Sequence, residues 1–188
     1  MVPNDPAERH RLFAGTFTDL VRGTGDWDAP APVVGWTARD VVAHLVEWFP
    51  AFLTSGGVVL AQGPSAAEDP VAAWAHHANA VQALLDEPAT RDREFSHPMA
   101  GTHRLANAID QFYSADVFMH SWDLARATGQ RYDMDADFAA DLLAGMQSIQ
   151  DVIRGSGQYG EAVPVPSDAP VQDRLLGFIG RDPGWMPR

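Results

Sequence analysis

Apolar side chains recur along this chain at three- and four-residue intervals, and no segment shows the every-other-residue alternation of a half-buried strand. That period restricts the fold to packed helices, because each apolar stripe must be buried against another. The spacing predicts a first helix over Pro6 to Arg22, with Phe13, Phe17 and Leu20 as its stripe and Gly23 and Gly25 at its end. After the Pro-rich loop DAPAPVVG, Thr37-Ala38-Arg39-Asp40 is a capping-box pattern that opens a second helix. Val41, Leu45, Trp48 and Phe52 mark its inner face, Pro50 is expected to kink it, and Gly56 and Gly57 to stop it.

Asp69-Pro70 opens a third helix, with Pro at its favoured first position and Trp74, Ala78, Val81 and Leu85 as the stripe. Glu87 to Gly101 is expected to be a long irregular crossover. A fourth helix then runs from about Thr102 to Ala127, closed by Gly129. A fifth covers Asp135 to Arg154 and buries Phe138, Leu142, Met146 and Ile149. The expected architecture is all-α: residues 1–155 as a helical bundle, and 156–188 as a C-terminal extension with a short helix packed on the same domain.

At 188 residues the chain is long enough to bury a core as one domain. Its net charge of −12 argues against nucleic acid and against an anionic membrane surface as partners. No apolar run reaches membrane-spanning length, and MVPNDPAERHR does not have the layout of a secretory signal, so the cytoplasm is the expected location. The chain has no cysteine, which excludes disulfides, thiolate ligands and a cysteine nucleophile. Any thiol chemistry must therefore draw its thiol from outside. GSGQYG, at 155–160, follows no strand and is not a phosphate loop.

The fourth helix carries polar groups inside its apolar stripe. On a helical wheel Leu105, Ile109, Phe112 and Met119 fall within about 40° of one direction; Asp116 lies about 20° away, His120 about 60°, and Asp123 almost on it. A carboxylate among packed apolar groups costs several kcal/mol unless something pairs with it. Asp116 and His120, four apart, present their side chains one turn apart on one face. On the second helix His44 sits at the edge of the apolar face, where it can point into the groove toward a neighbour.

Two readings stand at this point. Asp116 and His120 form a local ion pair and His44 is a satisfied core-edge histidine; or the three converge as two nitrogens and one oxygen, a set suited to zinc, nickel or ferrous iron. Asp123 is expected to pair with Arg126 or an Arg of another helix. His77 is a candidate neighbour of the site and His76 is expected in solvent, while His10, His97 and His103 read as surface histidines. Trp36, Trp48, Trp74 and Trp122 read as core or interface anchors.

GWTARDVVAHLVEW resembles the Gly-Trp-(Thr/Ser)-x-x-Asp-(Leu/Val)-x-x-His-(Leu/Val) segment of the DinB-like superfamily, in particular proteins similar to the N-terminal domain of mycothiol-dependent maleylpyruvate isomerase. DVFMHSWDLARATGQ resembles that family's second signature, and GQYGEAVPVPSDAPVQDRLLGFIGRDPGW the ending of its actinobacterial branch. The resemblance spans nearly the whole chain and is weakest over 55–100. It implies four principal helices in up-down-down-up order and a divalent metal near one end, held by His44, Asp116 and His120. The acidic position is Glu in that isomerase and Asp here, one methylene shorter, so the metal would lie closer to the fourth helix or be bridged by water.

The implied activity is that of an isomerase or S-transferase acting on a small electrophile with zinc, nickel or iron and a low-molecular-weight thiol such as mycothiol. A metal lowers the pKa of a bound water or thiol and so yields a nucleophile at neutral pH. Trp48, Trp74 and Tyr113 are candidate pocket walls, and Glu47 and His77 candidate bases. The isomerase carries a second domain that this chain replaces with a short tail, so maleylpyruvate itself is not assigned. The alternative is a non-catalytic metal- or ligand-binding module of the same superfamily, a possible homodimer serving stress response.

Overall fold

The computed structural model describes residues 1–151, 155 and 159–187. The chain is mostly helical, and its helices begin where local chemistry satisfies their first amides. Asp5 accepts from the amides of Ala7 and Glu8 to cap α1 (Pro6–Gly23). Thr37 and Asp40 exchange side-chain and backbone bonds at the start of α2 (Ala38–Ser55), and Asp69 caps α3 (Pro70–Asp86). Pro50 lies within α2, which continues beyond it to Ser55.

The buried face of α2 is displaced from the expected one. Val41, Leu45, Phe49 and Leu53, spaced four apart, are wholly buried, whereas Trp48 and Phe52 are half-buried at the edge. Trp48 and Phe49, and Phe52 and Leu53, are adjacent in sequence, so hydrophobicity alone does not choose between the two stripes. α1 packs on α3, α2 packs on α3, and both α1 and α2 pack on α6 (Ala115–Ala127). Aromatic contacts fill the interior: Phe17 meets Trp74 at 4.4 Å between ring centroids, and Phe49 stacks on Tyr113 at 4.1 Å.

The expected all-α fold is corrected over residues 88–104. A short helix α4 (Pro88–Arg91) precedes an antiparallel hairpin of β1 (Glu94–His97) and β2 (Gly101–Arg104), paired from Glu94–Arg104 to His97–Gly101. Only Phe95 on these strands is fully buried, so the hairpin leaves almost no alternation in the sequence. Its seat depends on Gly56: a Cβ there would fall 2.1 Å from the Phe95 ring.

The fourth expected helix therefore starts at Leu105 and is not uniform. α5 (Leu105–Ala108) passes into a π-helical stretch, Ile109–Ser114, before α6. The wider π turn shifts the phase of the wheel, and Tyr113 is wholly buried while Phe112 is only partly so.

α7 (Ala136–Ser148) buries Ala139, Leu143 and Met146; Phe138 and Leu142 are half-buried and Ile149 is exposed, against expectation. Residues 152–154, at the end of the expected fifth helix, and 156–158 of GSGQYG lie outside the described residues. α8 (Val171–Phe178) packs on α7. Among the described residues no helix is long and apolar enough to cross a membrane.

Candidate metal centre

α2 and α6 meet with His44, Asp116 and His120 facing one another. One nitrogen or oxygen from each lies within 4.8 Å of the others, a grouping that could hold a metal ion. His44 Nε2 is 3.1 Å from Asp116 Oδ2, and His120 Nε2 is 3.5 Å from Asp116 Oδ1. The two imidazoles meet edge-on, with centroids 4.7 Å apart. Exposure falls across the group, from 31% of the His44 side chain through 14% for Asp116 to 6% for His120. The approach from solvent is thus on the α2 side.

Two indoles frame the group. The Trp48 Nε1–H donates to Asp116 Oδ2 at 3.0 Å, which is why Trp48 occupies the edge of α2 and not its core face. Trp36 sits 5.0 Å from the His44 ring and stacks on the His120 ring at 5.8 Å. The preceding loop aims it: Gly35 takes a positive φ of 80°, the Trp36 amide donates to Val33, and the Trp36 carbonyl accepts from Ala31.

On its far side His120 is held by Asp123, with Nδ1 2.8 Å from Asp123 Oδ2. Arg181, which follows α8, donates to the same carboxylate through Nε at 3.2 Å and through a terminal guanidinium nitrogen at 3.0 Å. Burial pushes the Asp123 carboxyl up, but the bonds and charges of His120 and Arg181 outweigh it and hold the group below its usual range. An ionised carboxylate only accepts, so His120 Nδ1 is the donor. A neutral His120 then carries its lone pair on Nε2, toward Asp116.

Asp116 shows the same balance. Burial opposes its ionisation, and the charge of His120, the contact with His44 and the Trp48 bond overcome that opposition. It is therefore an acceptor too. His120 Nε2 and Asp116 Oδ1 face each other at 3.5 Å, and with Nδ1 donating to Asp123 the gap between them suits a proton on Nε2 or a cation in its place.

The other candidates are placed elsewhere. Asp123 pairs with Arg181 from the C-terminal segment; Arg126 instead lies over the Trp122 ring. His77 is buried against Phe49 and Tyr113, Glu47 is exposed, and Trp74 is a core residue whose indole donates to Thr18. His76 meets the carbonyl of Ala61. His97 and His103 serve the hairpin, where His97 Nδ1 accepts the amides of Met99 and Ala100 and His103 Nε2 contacts the Ala100 carbonyl.

His10, expected at the surface, is buried and lies 2.8 Å from Gln82 Oε1. It precedes Phe13 by three residues and so continues the α1 stripe, a signal the sequence carried. The bond between His120 and Asp123 also had one, in their three-residue spacing. Arg181 had none.

These features describe a mostly helical protein with a candidate metal centre between two of its helices. The chain is similar to two uncharacterised proteins of Mycobacterium tuberculosis, from strains CDC 1551 / Oshkosh and ATCC 25618 / H37Rv. Each is 27% identical over 188 residues, spanning 94% of this chain and 98% of the relative. No family model and no solved structure matches the chain.

Proposed function

We propose that this protein is a DinB-like helical bundle, up-down-down-up in topology, that holds a divalent cation through His44, Asp116 and His120 and catalyses addition of a low-molecular-weight thiol to a small electrophile, or thiol-assisted isomerisation of one. The observation that carries the metal reading is the convergence of His44, Asp116 and His120, one nitrogen or oxygen from each within 4.8 Å of the others. Two imidazoles and a carboxylate suit zinc first, with nickel and iron as alternatives, and leave positions open. When bound, such a cation would lower the pKa of a thiol or water, which a chain without cysteine must take from solution.

The residues around the site fit that role. Trp36 and Trp48 exclude water from two sides and lower the local dielectric, while the half-exposed His44 edge admits a ligand. The Tyr159 phenol, pushed up to about 12 by burial and then by the charge of Asp116, stays protonated as a hydrogen-bond donor. A reduced cytoplasmic thiol such as mycothiol is the co-substrate class on this reading, and the acidic chain is directed to neither nucleic acid nor membrane.

Elemental analysis of the native protein beside His120→Ala tests the metal. Bound metal in the former and not the latter supports the reading; equal, near-zero metal in both defeats it. A second reading, a non-catalytic metal-binding module acting as a homodimer in stress response, draws on the exposure of Glu47, the carboxylate the sequence offered as a base. Metal-loaded protein incubated with thiol and an electrophile panel separates the two, because only the enzyme consumes both.

A further inference from the structure

We infer that Asp123 and Arg181 are positioning residues for His120, and that through them the C-terminal segment sets how strongly the His44–Asp116–His120 site binds a cation. The inference rests on the metal reading above and extends it to residues outside the ligand set.

The geometry runs in one chain of contacts. Gly180, at φ +83°, ends α8 in a left-handed cap: its amide reaches the Gly177 carbonyl at 3.2 Å and the Arg181 amide that of Leu176 at 2.8 Å. That cap fixes where the Arg181 side chain departs. One terminal nitrogen of its guanidinium returns to the Ile179 carbonyl at 3.0 Å, and Nε and the other terminal nitrogen grip Asp123. The Asp123 side chain is 1% exposed and that of Arg181 10%.

A buried ion pair of this kind is a poor source of stability, since well-packed apolar groups often do as well. What it does provide is a choice of tautomer. In a neutral imidazole one nitrogen donates and the other accepts. Asp123, gripped by the Arg181 guanidinium, accepts a hydrogen bond from Nδ1–H of His120 and so leaves the Nε2 lone pair facing Asp116. With Asp123 neutralised, His120 is free to adopt the other tautomer. Its Nε2–H would then donate to Asp116 Oδ1 and close the site with an internal hydrogen bond.

The test pairs imidazole nitrogen NMR of the metal-free protein, followed over a pH series so that the neutral form of each ring is read directly, with zinc titration of the same samples. Wild type is expected to show His120 protonated on Nδ1. Asp123→Asn should shift His120 toward the Nε2–H form and weaken zinc binding by about 10- to 100-fold. Arg181→Met should move both readouts in the same direction, and Arg181→Lys, which keeps the charge, should restore part of each. If Asp123→Asn does not fold, the two Arg181 variants decide.

Weaker zinc binding without a change of tautomer would assign the pair a structural role only and overturn the inference. So would a wild-type His120 protonated on Nε2. If wild type binds no zinc but shows the Nδ1–H form that Asp123→Asn loses, the tautomer control stands, and it is the metal reading that fails, taking with it the control of cation affinity.

Discussion

Trp48 and Asp116, 68 residues apart, are joined by an indole hydrogen bond of 3.0 Å across the interface of α2 and α6. The donor is fixed, because an indole nitrogen can only give its proton. It therefore orients Asp116 Oδ2, the oxygen that also faces His44. Trp48→Phe keeps most of the ring and removes the bond. The expected outcome is a loss of about 1.5–3 kcal/mol of stability, as for a hydrogen bond to a charged group, and zinc binding weakened by about 10-fold or more. Urea unfolding and a competitive zinc titration measure the two; unchanged zinc affinity would show that the indole only packs.

Two glycines should respond to alanine in opposite senses. Gly180 has a φ of +83°, and a Cβ added to it would lie 2.7 Å from the backbone of Gly160. The left-handed conformation alone costs an L-residue about 1–2 kcal/mol, and the contact with Gly160 adds to that. Gly15, inside α1, has nothing within 4 Å of an added Cβ, so Gly15→Ala should stabilise by about 0.5–1 kcal/mol. Urea midpoints of the two variants should move to either side of wild type. A Gly180→Ala midpoint at or above that of wild type would refute the steric account.

The parts of the fold legible in the sequence are those set by neighbours along the chain. Asp5, Thr37 and Asp69 cap helices because each side chain reaches an amide two or three residues on. Asp116 and His120 stood out because an i,i+4 pair shares a face, and His44 because its edge position and its motif pointed to the same groove. What escaped depends on partners far away. Arg181 meets Asp123 across 58 residues, and no periodicity announces it. The π turn at Ile109–Ser114 adds a residue without changing composition, so a fixed wheel misplaces Tyr113. The inner face of α2 turned on which of two adjacent aromatics found a polar partner, and Asp116 supplied one to Trp48.

The hairpin hangs on one side chain. Phe95 is wholly buried, its ring 5.4 Å from that of Phe52, over a floor that Gly56 leaves open. Phe95→Ala should cost about 3–5 kcal/mol, the usual range for a large aromatic removed from a core. If the hairpin is seated by this residue, amide exchange should accelerate across Glu94–Arg104 more than in α3. Uniform acceleration would mean that the hairpin belongs to the global unfolding unit.

Acid should destabilise the protein through two histidines that are not ligands. Burial lowers the pKa of His77 to about 4, and burial also lowers that of His10 despite its bond to Gln82. Nε2 of each is buried without a hydrogen-bond partner among the described residues, so protonating the ring leaves a charge unsolvated. The unfolded chain binds a proton at each near the ordinary value of about 6.5. Between that value and the folded one the unfolded state holds more protons, so stability is full above the window and falls as the pH drops through it. For His77 the fall amounts to about 3 kcal/mol by about pH 4. His77→Phe removes a group that cannot be satisfied and keeps a ring against Phe49 and Tyr113. Its loss of stability between about pH 7 and pH 4.5 should be smaller than that of wild type, with the carboxylate contributions common to both. Parallel pH profiles for the two proteins would mean that His77 finds a proton acceptor or water when charged.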